Sequence, residues 1–160
     1  MFSEIALPSI GRWAQEHLTS VLLAMGAVAF NAAFDRLVAP AANITLNGEA
    51  LSRDAYKDWL LAGNVPCASR DLTFLEVVEV PTYDIKAILQ AGVVSLVYNA
   101  TCGSTGVVSS LHLSINRVDD LCPTPVGHIH GDCDSRRVVD VNHISSNVTR
   151  TVKRFSGRLS

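Results

Sequence analysis

Charged residues are scarce in this chain, and neither sign is in clear excess. Only 18% of its 160 residues are Asp, Glu, Lys or Arg, and the formal net charge is -2. Without a basic surplus, the chain has no electrostatic reason to bind nucleic acid or an anionic membrane surface, so we expect neither partner. The basic residues near the C-terminus are accompanied by a single aromatic, which is typical of a solvated tail. They are Arg150, Lys153, Arg154 and Arg158, around Phe155.

Motifs that would indicate nucleotide or covalent chemistry are also missing. The chain has no glycine-rich phosphate loop, no dinucleotide fingerprint and no nucleophile elbow. These absences argue against the common nucleotide-dependent enzymes and serine hydrolases, and we expect no cofactor. No internal repeat or low-complexity tract divides the chain.

A mostly apolar run, Leu18 to Phe30, is too short to span a bilayer, which needs about 20 residues. Its length suits the core of a signal peptide, and small residues follow it. Glycosylation sequons would agree with secretion, but the stretch before the run is long and carries Glu4 and Glu16. We therefore predict a cytoplasmic protein, with secretion as the alternative. The sequons are Asn43-Ile44-Thr45, Asn99-Ala100-Thr101 and Asn147-Val148-Thr149.

The four cysteines permit two disulfides, but a domain of this length does not need them. Cys102 lies in a strand-like run, where a buried free thiol is expected. Cys122 and Cys133 flank His128 and His130, which are zinc-type ligands, but their spacing matches no paired-ligand motif, so we expect no metal. The same segment is interpreted as a polar loop, either a lid or a loop closed by a Cys122–Cys133 disulfide.

The composition and the order of periodic segments predict one α+β domain. Apolar residues make up 48% of the chain, enough for a sizeable core. We take residues 1–160 as a single domain, with a core at about 9–150 and the basic tail at 150–160.

Apolar residues recur at helical spacing in the first part of the chain. Ser9 is a candidate N-cap for the first helix, Gly26 divides the pattern into two helices, and Pro40 stops it. Ser52 is a candidate cap for a further short helix that ends at Gly63.

Strand-type alternation dominates the rest of the chain. A short strand at Asn43–Leu46 ends in an Asn47-Gly48 turn, and the turn Gly103-Ser104-Thr105-Gly106 joins two of four later long runs. Long strands joined by short turns predict one curved antiparallel sheet, on which the helices pack. The long runs are Leu72–Val80, Val93–Cys102, Val107–Val118 and Val138–Val148.

Three segments near the N-terminus, together with this element order, resemble the nuclear transport factor 2-like (cystatin-like) superfamily and its SnoaL-like polyketide cyclase branch. The resemblance covers roughly residues 12–150, but only these segments are motif-like, and Ala41 stands where the family often has Asp. The segments are Ala33-Phe34-Asp35-Arg36-Leu37-Val38-Ala39-Pro40, Ile44-Thr45-Leu46-Asn47-Gly48 and Leu51-Ser52-Arg53-Asp54-Ala55-Tyr56.

The resemblance implies a cone-shaped α+β barrel, in which the sheet curls around the helices and leaves an apolar cavity. It also implies a hydrophobic small-molecule ligand and a homodimer formed through the outer sheet face. Members include ketosteroid isomerases, scytalone dehydratases, epoxide hydrolases and polyketide cyclases, as well as non-catalytic carriers and adaptors. No residues here match the tyrosine–aspartate arrangement of the first or the Asp-Arg-Asp arrangement of the third.

Two ionisable side chains on apolar strands are the candidates for acid–base catalysis. Glu76 alternates with Leu72, Phe74, Val78 and Val80. An unpaired carboxylate buried among such neighbours would be costly without a purpose. The alternative is a Glu76 that pairs with an arginine or lies at a strand end.

His112 lies on the more polar face of its strand. It is a candidate for the second acid–base group, and a structural or solvent-facing histidine is the alternative. Tyr98 shares a face with apolar residues, and it could donate a hydrogen bond to a ligand.

The remaining candidates for ligand binding are large side chains on the helices: Trp13, His17, Tyr56 and Trp59. They could line the mouth of a cavity, and core packing is the alternative for each.

Two functions follow from these patterns. The first is a cofactor-independent isomerase, cyclase or dehydratase that acts on a hydrophobic metabolite by proton transfer through Glu76 and His112. The second is a non-catalytic dimerising module whose cavity is filled by its own side chains. Whether Glu76 and His112 point into one cavity distinguishes them.

Overall fold

The computed structural model describes residues 8–63, 69–82, 90–118 and 134–149 of the chain. Within these ranges, helices precede four long strands, and the predicted α+β architecture of helices on one curved sheet is confirmed. The elements are α1 (Ile10–Leu22), α2 (Ala27–Leu37), β1 (Val38–Leu46), β2 (Glu49–Leu51), α3 (Arg53–Gly63), β3 (Arg70–Thr82), β4 (Ala91–Cys102), β5 (Thr105–Arg117) and β6 (Arg136–Thr149).

The N-terminal apolar run folds into two helices separated by Gly26. The hydroxyl of Ser9 caps α1 by accepting a hydrogen bond from the Arg12 amide (3.3 Å). Gly26 has a φ of 85°, which glycine adopts without strain, and it turns the chain between α1 and α2. No helix among the described residues is long and apolar enough to cross a membrane. Four apolar side chains of the run are buried in the core, namely Leu18, Val21, Leu22 and Phe30, whereas Leu23, Met25 and Val28 are exposed.

The predicted Asn47-Gly48 turn and the cap of α3 are confirmed. Asn47 and Gly48 have φ values of 50° and 85°, as a two-residue hairpin between β1 and β2 requires. The hydroxyl of Ser52 accepts a hydrogen bond from an amide in the first turn of α3 (3.1 Å). The β4–β5 hairpin is tighter than predicted, because only Gly103 and Ser104 lie between the strands.

The six strands form one open sheet in the order β2-β1-β6-β5-β4-β3. Four of its pairs are antiparallel, as expected, whereas β1 runs parallel to β6. The sheet is thus mixed at that one pair, where an antiparallel pair was expected. Alternation within a strand specifies its two faces, but it does not specify which distant strand lies beside it.

The inner face of the sheet carries side chains in rows that cross β4, β5 and β6. The rows closest to α1 are apolar except for one histidine, and the row nearest the β4–β5 hairpin is polar. The inner face therefore changes from apolar to polar along the strands. In order, the rows are Val94–Leu113–Val141, Leu96–Leu111–His143 and Tyr98–Ser109–Ser145.

A bulge in β3 reverses the faces of its second half. Phe74 pairs with Tyr98 on the inner face, whereas Glu76 pairs with Val97 on the outer face, so Leu75 is the extra residue. Glu76 is consequently exposed and does not share a face with Phe74. The strict alternation predicted for this strand is therefore wrong beyond Phe74, because one residue is inserted there.

Beyond the bulge, β3 and β4 hold the beginning of α1. The carboxylate of Glu79 accepts a hydrogen bond from the Gly11 amide in the first turn of α1, where a negative charge is favourable. Gly92 has no room for a Cβ atom, which would meet the backbone oxygen of Val80 and the side chain of Ile10. These contacts fix the start of α1 at the end of the sheet opposite the β4–β5 hairpin.

Cys102, the last residue of β4, is in a disulfide, which corrects the expectation of a free thiol. Strand alternation predicts the direction of a cysteine side chain, but it does not predict whether a second sulfur lies within bonding distance. The predicted polar loop spans 119–137, and its part at 119–133, with the zinc-type ligands and the Cys122–Cys133 alternative, lies outside the described residues. Its last two residues, Arg136 and Arg137, belong to β6, so the loop ends earlier than predicted. The basic tail at 150–160 also lies outside them.

Truncating Phe34 tests the packing of α2. The side chain is fully buried, so Phe34→Ala is expected to lower the free energy of unfolding by about 3–5 kcal/mol in urea denaturation. Val28→Ala on the same helix is the matched control: the side chain is 86% exposed, and its loss should cost less than about 0.5 kcal/mol. Equal losses in the two variants would contradict this placement of α2.

Candidate functional site

A cavity of about 310 Å³ lies between the inner face of the sheet and the last turns of α1 and α3. Leu22 contributes from α1, Trp59 and Leu60 from α3, and Ala100 and Val107 from β4 and β5 next to the hairpin. The small side chains on the sheet and the ends of the two helices together leave this space unfilled.

One wall of the cavity is the polar row Tyr98–Ser109–Ser145. Strand pairing places the three residues directly opposite one another on β4, β5 and β6. Tyr98 is hydrogen-bonded to Ser109, and the Ser109 hydroxyl donates to the Ser145 hydroxyl (3.1 Å). All three line the cavity, so the wall offers hydroxyl groups in an otherwise mostly apolar space.

Arg70, at the start of β3, is the charged part of the wall. Its guanidinium donates to the carbonyl oxygens of Leu22 (3.2 Å) and Gly63 (2.6 Å), the last residues of α1 and α3. Carbonyl groups at a helix C-terminus lack partners within the helix and carry partial negative charge. Arg70 therefore joins the two helix ends that border the cavity.

His143 lies behind the cavity wall and is completely buried. Its Nδ1 atom is hydrogen-bonded to the Tyr56 hydroxyl (2.9 Å), and its Nε2 atom has no hydrogen-bond partner among the described residues. Two rings that line the cavity contact the imidazole: Trp59 lies edge-on at 5.2 Å between ring centroids, and Tyr98 lies at 6.4 Å. A buried nitrogen without a partner is rare in folded proteins.

Burial keeps these interior groups neutral. It lowers the pKa of His143 to about 4 and raises the pKa of Tyr56. It also raises the pKa of Tyr98, against the opposing effects of the Ser109 hydrogen bond and the Arg70 charge. At neutral pH, His143, Tyr56 and Tyr98 are therefore uncharged hydrogen-bonding groups.

Two of the predicted ligand-binding residues, Tyr98 and Trp59, line the cavity. Tyr56 lies behind them: it is 3% exposed, and its ring stacks on that of Trp59 at 6.2 Å between centroids. The Tyr56 hydroxyl is hydrogen-bonded to His143. A role for Tyr56 in ligand binding stays a prediction.

Trp13 and His17 belong to a separate cluster near the start of β6, and neither is among the described residues that line the cavity. Trp13 Nε1 donates to the Asp134 carboxylate (2.8 Å), and its ring lies 4.4 Å from that of His17. Asp134 also pairs with the buried Arg136 (2.8 Å). Burial lowers the pKa of His17, and the Asp134 charge opposes this shift. The contacts of Trp13 and His17 are those of a packing cluster.

Glu76 and His112 lie on the outer face of the sheet, and both are exposed. His112 Nδ1 is hydrogen-bonded to the Ser95 hydroxyl (2.7 Å) on the neighbouring strand. The sheet separates both side chains from the cavity. The condition under which they would act together, a shared cavity, is therefore not met.

His143, Ser109 and Ser145 were not among the predicted site residues. A signal for His143 existed, because strand alternation groups it with Val141 and Ser145, the same pattern of one ionisable group on an apolar strand that selected Glu76. Its contact with Tyr56 joins positions 87 residues apart, which no local pattern predicts.

The cavity wall is suited to binding and orienting a molecule. Among the described residues that line it, there is no carboxylate and no histidine that could serve as a base. The described ranges also contain no group of three or more His, Cys, Asp or Glu residues that could hold a metal ion. What the wall offers is apolar contact, aromatic surface, neutral hydroxyl groups and the guanidinium of Arg70.

Comparison with known proteins finds a similar solved structure. No family model and no curated protein matches the chain. Among solved structures, it is similar to a nuclear transport factor 2-like protein of unknown function from Silicibacter pomeroyi, with 15% identity and a TM-score of 0.47. The match covers 84% of this chain and 92% of that one. It does not distinguish the SnoaL-like branch, which stays a prediction.

The buried histidine predicts a loss of stability in mild acid. The folded pKa of His143 is about 4, and the value of an exposed histidine is about 6.5. Between these values the unfolded chain binds more protons than the folded chain. Protonation of His143 therefore does not reduce the free energy of unfolding above pH 6.5, and it lowers that free energy by about 3 kcal/mol as the pH falls to 4.

Urea denaturation at a series of pH values measures this effect. A variant that combines His143→Leu with Tyr56→Phe removes both partners, leaves no unpaired hydroxyl, and should lack the His143 part of the pH slope. His112→Gln, on the exposed outer face, is the control and should keep the slope. If the double variant and the unmodified protein share one slope, His143 is not buried as described.

Proposed function

We propose that this protein binds a compact, mostly apolar small molecule in the cavity beside α3. The observation that carries the proposal is an unfilled apolar cavity with the polar row Tyr98–Ser109–Ser145 in its wall. Small-molecule sites are typically concave and apolar, with a few polar groups that fix the orientation of the ligand. The cavity has each of these properties.

The size of the cavity limits the ligand. Its volume of about 310 Å³ is at the lower end of the range of about 300–1,000 Å³ that small-molecule sites span. The rings of Trp59 and Tyr98 provide flat apolar surface, which suits a planar ligand. A compact aromatic or polycyclic metabolite fits both features.

A reaction in the cavity would require a group that moves a proton. The described lining contains no carboxylate or histidine, and Glu76 and His112 face away from it. The proposed function is therefore binding and orientation of a hydrophobic metabolite. An isomerase, cyclase or dehydratase step would need an acid–base group beyond this lining.

A thermal-shift screen of compact apolar metabolites tests the proposal. A ligand at 100 times its Kd stabilises the folded state by about 2.7 kcal/mol, which raises the Tm by roughly 5–10 °C. Ala100→Phe places a ring in the cavity and should abolish the shift, because Ala100 lines the cavity. Ala32→Phe makes the same change at an exposed position of α2 and should leave the shift intact. A shift that survives Ala100→Phe would place the ligand elsewhere, and no shift across the screen would contradict the proposal.

A second candidate function, a homodimeric interaction module, is favoured by the outer face of the sheet. This face has few charges and exposes apolar side chains that nothing in the described structure covers. Edge strands with exposed apolar side chains tend to associate with another chain. The open cavity weighs against the version of this function in which side chains fill the interior. The exposed side chains are Val78, Val80, Val93 and Ile144.

Analytical ultracentrifugation tests the outer face. The unmodified chain should sediment as a dimer, and Val80→Lys should convert it to a monomer, because the substitution places a charge on a side chain that is 63% exposed on this face. Val28→Lys introduces the same charge on α2 and should leave the dimer intact. A monomer at all concentrations, or a dimer that Val80→Lys does not weaken, would contradict this candidate.

The disulfide at Cys102 is relevant to the cellular compartment in which the protein is located. Disulfides persist mainly in oxidising compartments such as the secretory pathway. Asn43, which begins one of the sequons, is exposed on β1. These two features favour the secreted alternative over the cytoplasmic prediction.

A further inference from the structure

The buried imidazole of His143 lies one row beyond the cavity wall. On the inner face of β6, His143 is followed by Ser145, which lines the cavity, and alternate residues of a strand are about 7 Å apart. Two of the three rings that contact the imidazole, Trp59 and Tyr98, line the cavity. Side chains of the cavity wall are therefore in direct contact with His143.

The hydrogen bond with Tyr56 determines whether Nε2 of His143 carries a hydrogen. The Tyr56 hydroxyl is buried, and His143 Nδ1 is its hydrogen-bond partner among the described residues. A buried hydroxyl needs an acceptor for its hydrogen, and a neutral imidazole has one bare nitrogen. Tyr56 therefore donates to Nδ1, and the ring hydrogen is on Nε2. The unpartnered Nε2 is thus a hydrogen-bond donor without an acceptor.

Trp59 packs against the His143 imidazole and is held by ring contacts. Its indole stacks on Tyr56 with an angle of 11° between the rings, and its Nε1 makes no hydrogen bond to the described residues. The side chain is 38% exposed and lies in the last two turns of α3. A rotation of the indole away from His143 therefore breaks no hydrogen bond within the described structure.

We propose that His143 recognises the polar group of the ligand: a carbonyl-type oxygen displaces the edge of Trp59 and accepts a hydrogen bond from Nε2. The inference rests on the proposed binding function and names its ligand class, a compact apolar molecule with a neutral acceptor such as a ketone. Burying a donor without a partner is unfavourable, and a ligand oxygen would relieve that cost.

The charge state of His143 favours a neutral acceptor over a carboxylate at the imidazole. Burial lowers the pKa of His143 to about 4, so the imidazole is uncharged at neutral pH and does not compensate a negative charge. A carboxylate placed against it would lose its hydration without gaining an ion pair. A ketone or similar carbonyl loses less on leaving water.

Two probes of matched shape test the inference: acetophenone, which has a carbonyl oxygen, and isopropylbenzene, which does not. Their dissociation constants are measured by NMR titration with the unmodified protein and with the variant that combines His143→Leu and Tyr56→Phe. The ratio of the two constants should change about fivefold between the proteins, as expected for one hydrogen bond. Comparing ratios cancels the different solubilities of the probes in water.

A second measurement needs no variant. In the unmodified protein with ¹⁵N-labelled histidine, the Nε2 resonance of His143 should carry a hydrogen at pH 7 and shift when acetophenone binds. It should shift much less with isopropylbenzene, and the His112 resonances on the outer face should not move with either probe.

The possible outcomes separate the two proposals. One outcome is that both probes bind, that the ratio of their dissociation constants is the same in both proteins, and that the His143 resonance does not shift. In that case the cavity binds ligands, but His143 does not recognise them. If neither probe binds, both the binding function and the inference fail. A changed ratio together with a shifted Nε2 resonance supports the inference.

Discussion

The difference in length between the helices and the strands determines the shape of the interior. A helix rises about 1.5 Å per residue and a strand about 3.3 Å, so the 13 residues of α1 reach about 20 Å and the 13 residues of β5 about 40 Å. Glu79 and Gly92 hold the start of α1 at one end of the sheet. The helix therefore ends, at Leu22, before it has covered the inner face. The uncovered part, next to the β4–β5 hairpin, is the cavity.

The side chains along the inner face follow this change in cover. Where α1 and α2 pack, the rows are apolar and buried, and Phe30 and Phe34 are fully inaccessible to solvent. Where the cover ends, the row becomes Tyr98–Ser109–Ser145, whose hydroxyl groups bond to one another. His143 stands at the boundary between the two regions. Its unpartnered Nε2 would be an unexplained cost in a core that served packing alone.

The features that local chemistry determines could be predicted from the sequence. The Ser9 and Ser52 caps, the break at Gly26 and the Asn47-Gly48 turn depend on residues near one another in the chain, and each is confirmed. The long strands are also placed within a few residues, because alternation persists over their whole length.

The features that were not predicted depend on distant contacts or on one inserted residue. The bulge at Leu75 turns Glu76 outward, although the sequence alternates as if the strand were regular. The parallel pairing of β1 with β6 and the contact of Tyr56 with His143 each join segments far apart in the chain. The disulfide at Cys102 likewise depends on a second sulfur that local pattern does not identify. The candidate site consists mostly of such contacts, so the fold was more predictable than the site.

The end of the inner face next to the β4–β5 hairpin is unfilled and accessible to a small apolar guest. A crystal structure under xenon pressure tests this accessibility, because xenon occupies apolar cavities without forming hydrogen bonds. Xenon density is expected between Trp59, Tyr98 and Val107 in the unmodified protein, and no density is expected there in Ala100→Phe, whose inserted ring fills the space. If the unmodified protein shows no xenon there and side chains are packed into the space, the cavity does not exist as described.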